Sequence, residues 1–170
     1  MNFSINASIS HKVGFTLSEV NSNESLSLSD SNTVSSTYTY GSGSNLIVNA
    51  VSITGALPSG GRAIIDLYSI PQTTFRTTQN VVFTGVKNFT VFNTSTSQGY
   101  DLIVRATGSN SCTNLFNAGS GNLVVKPYSV HTYNDPYSGF IVSTGQRFVQ
   151  LIDRGSGASY KVFVLGMSSG

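Results

Sequence analysis

Apolar and polar residues alternate along most of this chain with a period of two. Phe3, Ile5, Ala7 and Ile9 are interleaved with Asn2, Ser4, Asn6, Ser8 and Ser10, the spacing of a half-buried strand. Val13, Phe15 and Leu17 continue it. Residues 18–37 are the most polar stretch, yet Leu26 and Leu28 still alternate with serines. This reads as an exposed edge strand or ordered arm, with disorder as the alternative. From Tyr38 the signal strengthens. NLIVNAVSIT (45–54) and RAIIDLYSI (62–70) are nearly continuous apolar runs around the turn ALPSGG, and they are expected to pair as a central hairpin. Pro71, lacking an N–H, is expected to end the pairing.

Further strands are predicted downstream. VVFTGVKNFTVF (81–92) holds Gly85, a bulge or tight-turn signal. Tyr100, Leu102, Val104 and Ala106 alternate in the next strand. Residues 108–121 form a polar loop with Leu115 and Phe116 as an apolar plug, and strands follow at 123–126, 139–143, 147–153 and 159–165. RGSGAS (154–159) is expected to be a hairpin turn between the last two. No segment carries a helical period with caps. About nine to eleven short antiparallel strands at this spacing imply an all-β fold, a single β-sandwich of jelly-roll or immunoglobulin-like topology with no significant helix. No repeat, linker or composition break appears. One domain is therefore expected over 1–170, with 1–37 as N-terminal strand, arm and polar edge segment and 38–166 as sandwich core. Its centre is expected at Ile64, Ile65, Leu67, Val104, Val149, Leu151, Val162 and Val164.

Composition narrows the function. Charged residues are only 9% of the 170, against about 25% in an ordinary soluble domain, and Ser, Thr, Asn and Gly take their place. Neutral hydroxyl- and amide-rich surfaces are common in secreted, cell-surface and virion proteins. The net charge of +2 comes from nine scattered basic residues, so no basic cluster marks a nucleic-acid footprint. No apolar run is long enough for a membrane helix, and the first residues lack the unbroken apolar core of a signal peptide.

Familiar chemistry is not signalled either. His11, His131 and the lone Cys112 do not have metal-ligand spacing, and no serine sits in a nucleophile elbow. Cys112 reads as a small loop or core residue. Asp66 and Asp101 lie in strand patterns and could share a sheet face as a glycosidase pair would, but charges on exposed strand faces and edges are the simpler reading for all the acids, Asp153 included. The five sequons, at Asn2, Asn6, Asn23, Asn88 and Asn93, are expected from composition alone. The reading is of a non-enzyme, without cofactor, metal or catalytic residue. One cluster could make contacts: YSVHTYNDPYSGF (128–140) holds Tyr128, Tyr133, Tyr137 and Phe140, rings that could anchor a protein contact, stack on sugars or cap the sandwich end. The N-terminal strand with Phe3, Ile5 and Ile9 could pair with a neighbour's sheet edge.

The second half has a further cadence. It runs from TNLF (113–116) through LVVKPYSV and PYSGFIVSTG to RFVQLIDRGSGASYKVFVLG. Over residues 113–166 this resembles small β-sandwich virion proteins of tailed bacteriophages, of the capsid decoration (cement) or minor head type. The resemblance implies a non-enzymatic virion structural protein, a homo-oligomer with a trimer favoured, that binds the major capsid protein. Such a protein is made in the host cytosol without a signal peptide, which accords with an unpaired cysteine. The alternatives are a phage tail or fibre component, or a carbohydrate-binding, adhesin-like module with a glycan as partner. The absence of Trp weakens that last alternative, since Trp has the strongest aromatic face.

Overall fold

The computed structural model describes residues 6–20, 25–40, 46–74, 77–116 and 121–168. The described strands, in chain order, are β1 (Asn6–Val20), β2 (Ser25–Tyr40), β3 (Leu46–Ile47), β4 (Asn49–Leu57), β5 (Arg62–Asp66), β6 (Ile70–Thr74), β7 (Thr77–Val81), β8 (Gly85–Asn93), β9 (Leu102–Ala106), β10 (Asn122–Val125), β11 (Val130–Asn134), β12 (Phe140–Ile141), β13 (Phe148–Asp153) and β14 (Ala158–Met167). A 3-10 turn at Thr113–Phe116 is the one helical element among the described residues. It seats Leu115 in the core with Phe116 packed beside it, the plug expected of that loop.

Two antiparallel sheets carry the fold. One has the order β10-β9-β13-β5, and the other β11-β8-β14-β4, with β12 also pairing β8. Together they hold nine strands, the β6–β7 hairpin adds two and β1–β3 three more, an all-β fold as expected. Residues of both sheets meet in one hydrophobic core: Val51, Phe89, Val91, Val162 and Val164 from one, Ile65, Leu102, Val104, Val149 and Leu151 from the other. The pairings β4–β14, β5–β13, β8–β11 and β9–β10 nest inside one another. That nesting is one long hairpin rolled around the core, the connectivity of a jelly roll, which settles the choice against an immunoglobulin-like order.

This rolling corrects two expectations. The apolar runs at 45–54 and 62–70 do not pair with each other, because β4 joins β14 and β5 joins β13 in the opposite sheet. Likewise RGSGAS is not a hairpin turn: β13 and β14 lie in different sheets. Both turns are arches across the sandwich. Each apolar run needs only one buried face, and an arch lets two successive strands supply the two facing walls of one core.

Other differences are local. Pro71 sits within β6 opposite Asn80, in a two-stranded hairpin where a missing donor is tolerated. The aromatic loop at 128–140 is not all loop, since Val130–Asn134 forms β11 on the edge of β8. Ile64 belongs to β5 but faces outward, 57% exposed, whereas the other seven residues expected at the centre are buried. Side chains alternate across a strand, so with Ile65 and Leu67 facing inward, Ile64, the neighbour of Ile65, faces outward.

The N-terminal segments form a long ribbon. Strands β1 and β2 pair antiparallel over 15 residue pairs without a register shift, and β3 pairs parallel to β2. In this register Ile9 lies opposite Ser36, Val13 opposite Asn32 and Leu17 opposite Leu28. The ribbon touches the sandwich at half-buried Ser36, whose Oγ accepts a hydrogen bond from Asn134 Nδ2 at 2.9 Å.

Candidate surface site at the arch end

Four arches gather at one end of the sandwich. Two adjoin because their strands pair: the β4–β5 arch lies beside the β13–β14 arch. A carboxylate clamps them together. Asp153, the last residue of β13, is 2% exposed. Its Oδ2 accepts from Gly60 N–H (2.9 Å) in one arch and from Gly155 N–H (3.0 Å) and Gly157 N–H (3.2 Å) in the other. Ser59 Oγ–H adds a bond to the Gly155 carbonyl at 2.8 Å. The expectation that Asp153 is an exposed strand charge is therefore wrong. Strand alternation alone points it inward, and only the arch amides around it make an inward carboxylate tolerable.

The other two arches are held by Asn93, the last residue of β8 and 1% exposed. Its Nδ2 donates to the carbonyls of Tyr100 (2.7 Å) and Val125 (2.8 Å), and its Oδ1 accepts from Ser95 N–H (3.1 Å). Its backbone N–H donates to the Ser129 carbonyl. One amide thus fixes both ends of the β8–β9 arch and the start of the β10–β11 arch. The arch pairs are joined in turn: Thr94 N–H donates to the Ser159 carbonyl and Arg154 N–H to the Asp101 carbonyl. The backbones approach so closely that a Cβ on Gly155 would lie 1.6 Å from the Gly99 carbonyl oxygen.

Between the β8–β9 and β10–β11 arches lies an open cleft of about 600 Å³, lined by residues 96–99, Asp101, and 126–128. Lys126 Nζ pairs with Asp101 Oδ2 at 2.6 Å. A smaller hollow of about 390 Å³ shares the Thr96–Ser97 wall and runs on toward Tyr100 and Gly157. Lys126-Pro127-Tyr128-Ser129 closes a turn through Ser129 N–H to the Lys126 carbonyl, 3.0 Å. Tyr128 has φ +58° and is 75% exposed at the cleft rim.

The aromatic residues singled out from sequence do not act as one patch. Phe140 is buried in the core. Half-buried Tyr133 packs edge-on against it, centroids 5.1 Å apart. Both are therefore supports of the sandwich and not free anchors, because β11 and β12 pair with β8 and turn these rings inward. Tyr128 and Tyr137 are the exposed members. Tyr137 rides a turn capped by Asp135, whose Oδ1 accepts from Tyr137 N–H (3.0 Å) and Ser138 N–H (3.2 Å). Phe3 and Ile5 lie outside the described residues, and Ile9 is placed opposite Ser36 in the ribbon.

The remaining chemistry is dispersed. Cys112 is buried, and desolvation pushes its thiol up to about 12 despite a hydrogen bond with the Leu115 backbone. It is a core residue, as its isolation in the sequence suggested. His131 is exposed on β11, and His11 lies in β1. Asp66 and Asp101 do not converge. Asp66 is opposite Phe148 at one end of β13, and Asp101 precedes Leu102, opposite Asp153 at the other end. Five residues of strand separate these levels, about 17 Å, well beyond the glycosidase spacing. Asp66 instead holds Arg147 through both guanidinium Nε (2.8 Å) and Nη2, with that guanidinium lying over Tyr68 and Phe148. The sequons at Asn88 and Asn93 are buried and hydrogen-bonded. No group of three or more His, Cys, Asp or Glu among the described residues could hold a metal ion.

Lys126 was not singled out from sequence, and Asp101 and Asn93 stood out there only as a strand acid and a sequon. Only Lys126-Pro127-Tyr128, a proline turn between strands, carried a local signal. No protein-family model matches the chain, and a search of curated proteins returns no significant relative.

Proposed function

We propose that this chain is a non-enzymatic structural protein of a virion surface. It decorates and stabilises a phage capsid through protein–protein contacts with the major capsid protein and with copies of itself, a trimer being favoured. The observation that carries this reading is the β1–β2 ribbon. At 15 and 16 residues per strand it is about 50 Å long. The longest sandwich strand, β14, has 10 residues, about 33 Å, and four strands side by side span roughly 20 Å. The ribbon is therefore longer than the sheet that could support it. A two-stranded ribbon is at best marginally stable alone. A neighbouring subunit offers the missing support. The neutral, hydroxyl-rich composition suits an exterior surface that resists non-specific binding.

The reading is tested on the full chain. Sedimentation of the purified protein is expected to show a homo-oligomer, and the chain should co-sediment with undecorated phage shells at low and at ~1 M salt, because few charges take part. Introducing Leu17→Asp with Leu28→Asp, a directly paired position of the ribbon, should abolish both while leaving the melting temperature of the sandwich nearly unchanged. Tyr137→Ala, at the exposed ring of the Asp135 turn, should weaken shell binding alone. A monomeric chain that binds no shell would overturn the proposal.

A further inference from the structure

We infer that the cleft beside Tyr128 binds a neutral oligosaccharide, a role that stands apart from the assembly reading and can fail without it. The first observation is a conflict at Tyr128. Its turn has Pro127 in the second position and a positive φ in the third. That is the pattern of a type II turn, whose third position takes Gly or Asn. A tyrosine there is a backbone outlier and is strained. Packing does not repay the cost, because the residue is 75% exposed. The strain holds a broad aromatic face outward at the edge of a cleft.

The second observation is the rest of the cleft lining that Tyr128 shares. The cleft lining includes one acid and one base, already paired: Asp101 with Lys126. The pair leaves no net charge to draw in a phosphate or a polyanion, yet it offers carboxylate acceptors and ammonium donors together. Gln98, Ser97 and Thr96 add amide and hydroxyl groups on the facing wall. Bidentate acceptors and donors beside one exposed ring are what a pyranose needs, since it presents hydroxyls around its rim and C–H groups on its face. The volume of about 600 Å³ is that of a small-molecule site. The adjoining hollow continues along the same Thr96–Ser97 wall, so the groove suits several linked sugars better than one.

The third observation is rigidity. Both walls are fixed by Asn93, through the carbonyls of Tyr100, Val125 and Ser129. Preformed walls reduce the ordering cost of binding, and weakly bound ligands such as sugars depend on this.

The test is an amide-shift NMR titration of the full chain with cellohexaose, maltohexaose and chitohexaose at millimolar concentration. A polygalacturonate oligomer serves as the acidic comparison. At least one neutral probe is expected to shift the amides of Gln98, Gly99, Tyr128 and Ser129. Tyr128→Asn removes the ring and places at the third turn position a residue that tolerates positive φ. It should weaken binding by roughly tenfold or more, the loss of one dominant contact, with the melting temperature unchanged or raised. Tyr137→Ala, at the other exposed tyrosine, should leave binding as it was. The inference is overturned if no neutral probe shifts these amides, if Tyr128→Asn binds as the natural chain does, or if only the acidic oligomer binds and is released by salt.

Discussion

Replacing Asp153 tests whether the arches are clamped by one carboxylate. Oδ2 accepts three backbone N–H bonds, from Gly60, Gly155 and Gly157, at 2.9, 3.0 and 3.2 Å. Hydrogen bonds to a charged group contribute about 1.5–3 kcal/mol each. They do not add fully here, because Gly60 is exposed and water can satisfy its N–H once the carboxylate is gone. The expected cost of Asp153→Ala is therefore about 3–5 kcal/mol, a large share of the stability of an ordinary domain. Asp153→Asn separates charge from shape. Its amide oxygen can occupy the Oδ2 position and accept the same bonds at roughly half strength. Its NH2 then replaces Oδ1, which is buried without a hydrogen-bond partner among the described residues. An intermediate cost of about 2–3 kcal/mol follows. Urea unfolding provides the assay, and the denaturant slope should stay constant, since the unfolded surface is the same. Ser59→Ala, which deletes only the exposed bond to Gly155, is the control and should cost under about 0.5 kcal/mol. A cost below about 1 kcal/mol for Asp153→Ala would refute the clamp.

Further expectations concern the core, the thiol and a turn. Leu67→Ala removes a fully buried side chain and should cost ~2–5 kcal/mol. Ile64→Ala, one strand face away, should cost under about 1 kcal/mol; equal losses in urea melts would contradict the assignment of the two faces. The thiol of Cys112 is raised from about 9 to about 12 by burial, and Tyr133 and Tyr160 are raised by desolvation as well. For such groups the native state holds its protons more tightly, so their contribution is complete below the unfolded values. It is lost as pH rises from about 9 toward 12 for the thiol, with the tyrosines adding to the fall above their usual range. Stability measured against alkaline pH should decline over that window, and more gently for Cys112→Ala than for the natural chain; a parallel decline would exclude the thiol as a source. Iodoacetamide should label Cys112 only at the rate of unfolding. Gly139 has φ +66° and its Cβ would lie 2.6 Å from the Val86 carbonyl oxygen, so Gly139→Ala should cost more than 1 kcal/mol or so and shift the NMR signals of the Asp135–Gly139 turn.

What the sequence determined by itself was the strand content and the position of most of the core. Period-two alternation is a local property, because neighbouring side chains must point to opposite faces of any strand. That is why Leu67, Val104, Val149, Leu151, Val162 and Val164, all buried, were legible in advance, and why the absence of helical periodicity excluded helices. Pairing was not local. The runs ending at Leu57 and beginning at Arg62 look like two arms of a hairpin, and so do those on either side of RGSGAS. Only the tertiary structure decided that each crosses to the opposite sheet, because an arch and a hairpin can share the same turn residues. They differ only in which distant strand, β14 or β13, completes the ladder. The clamping residues follow the same logic. Asp153 and Asn93 are an ordinary acid and amide in the sequence, and their importance arises from the backbone N–H and C=O groups of two arches converging on them. Tyr128 is intermediate: the proline of Lys126-Pro127-Tyr128 favours a turn, though the strand and aromatic patterns around it drew the reading instead, and its positive φ and its place in one cleft with the paired Asp101 and Lys126 exist only after β8, β9 and β10 are brought together. Phe140 shows the converse, an aromatic legible as a surface anchor that β12 carries into the core by pairing with β8.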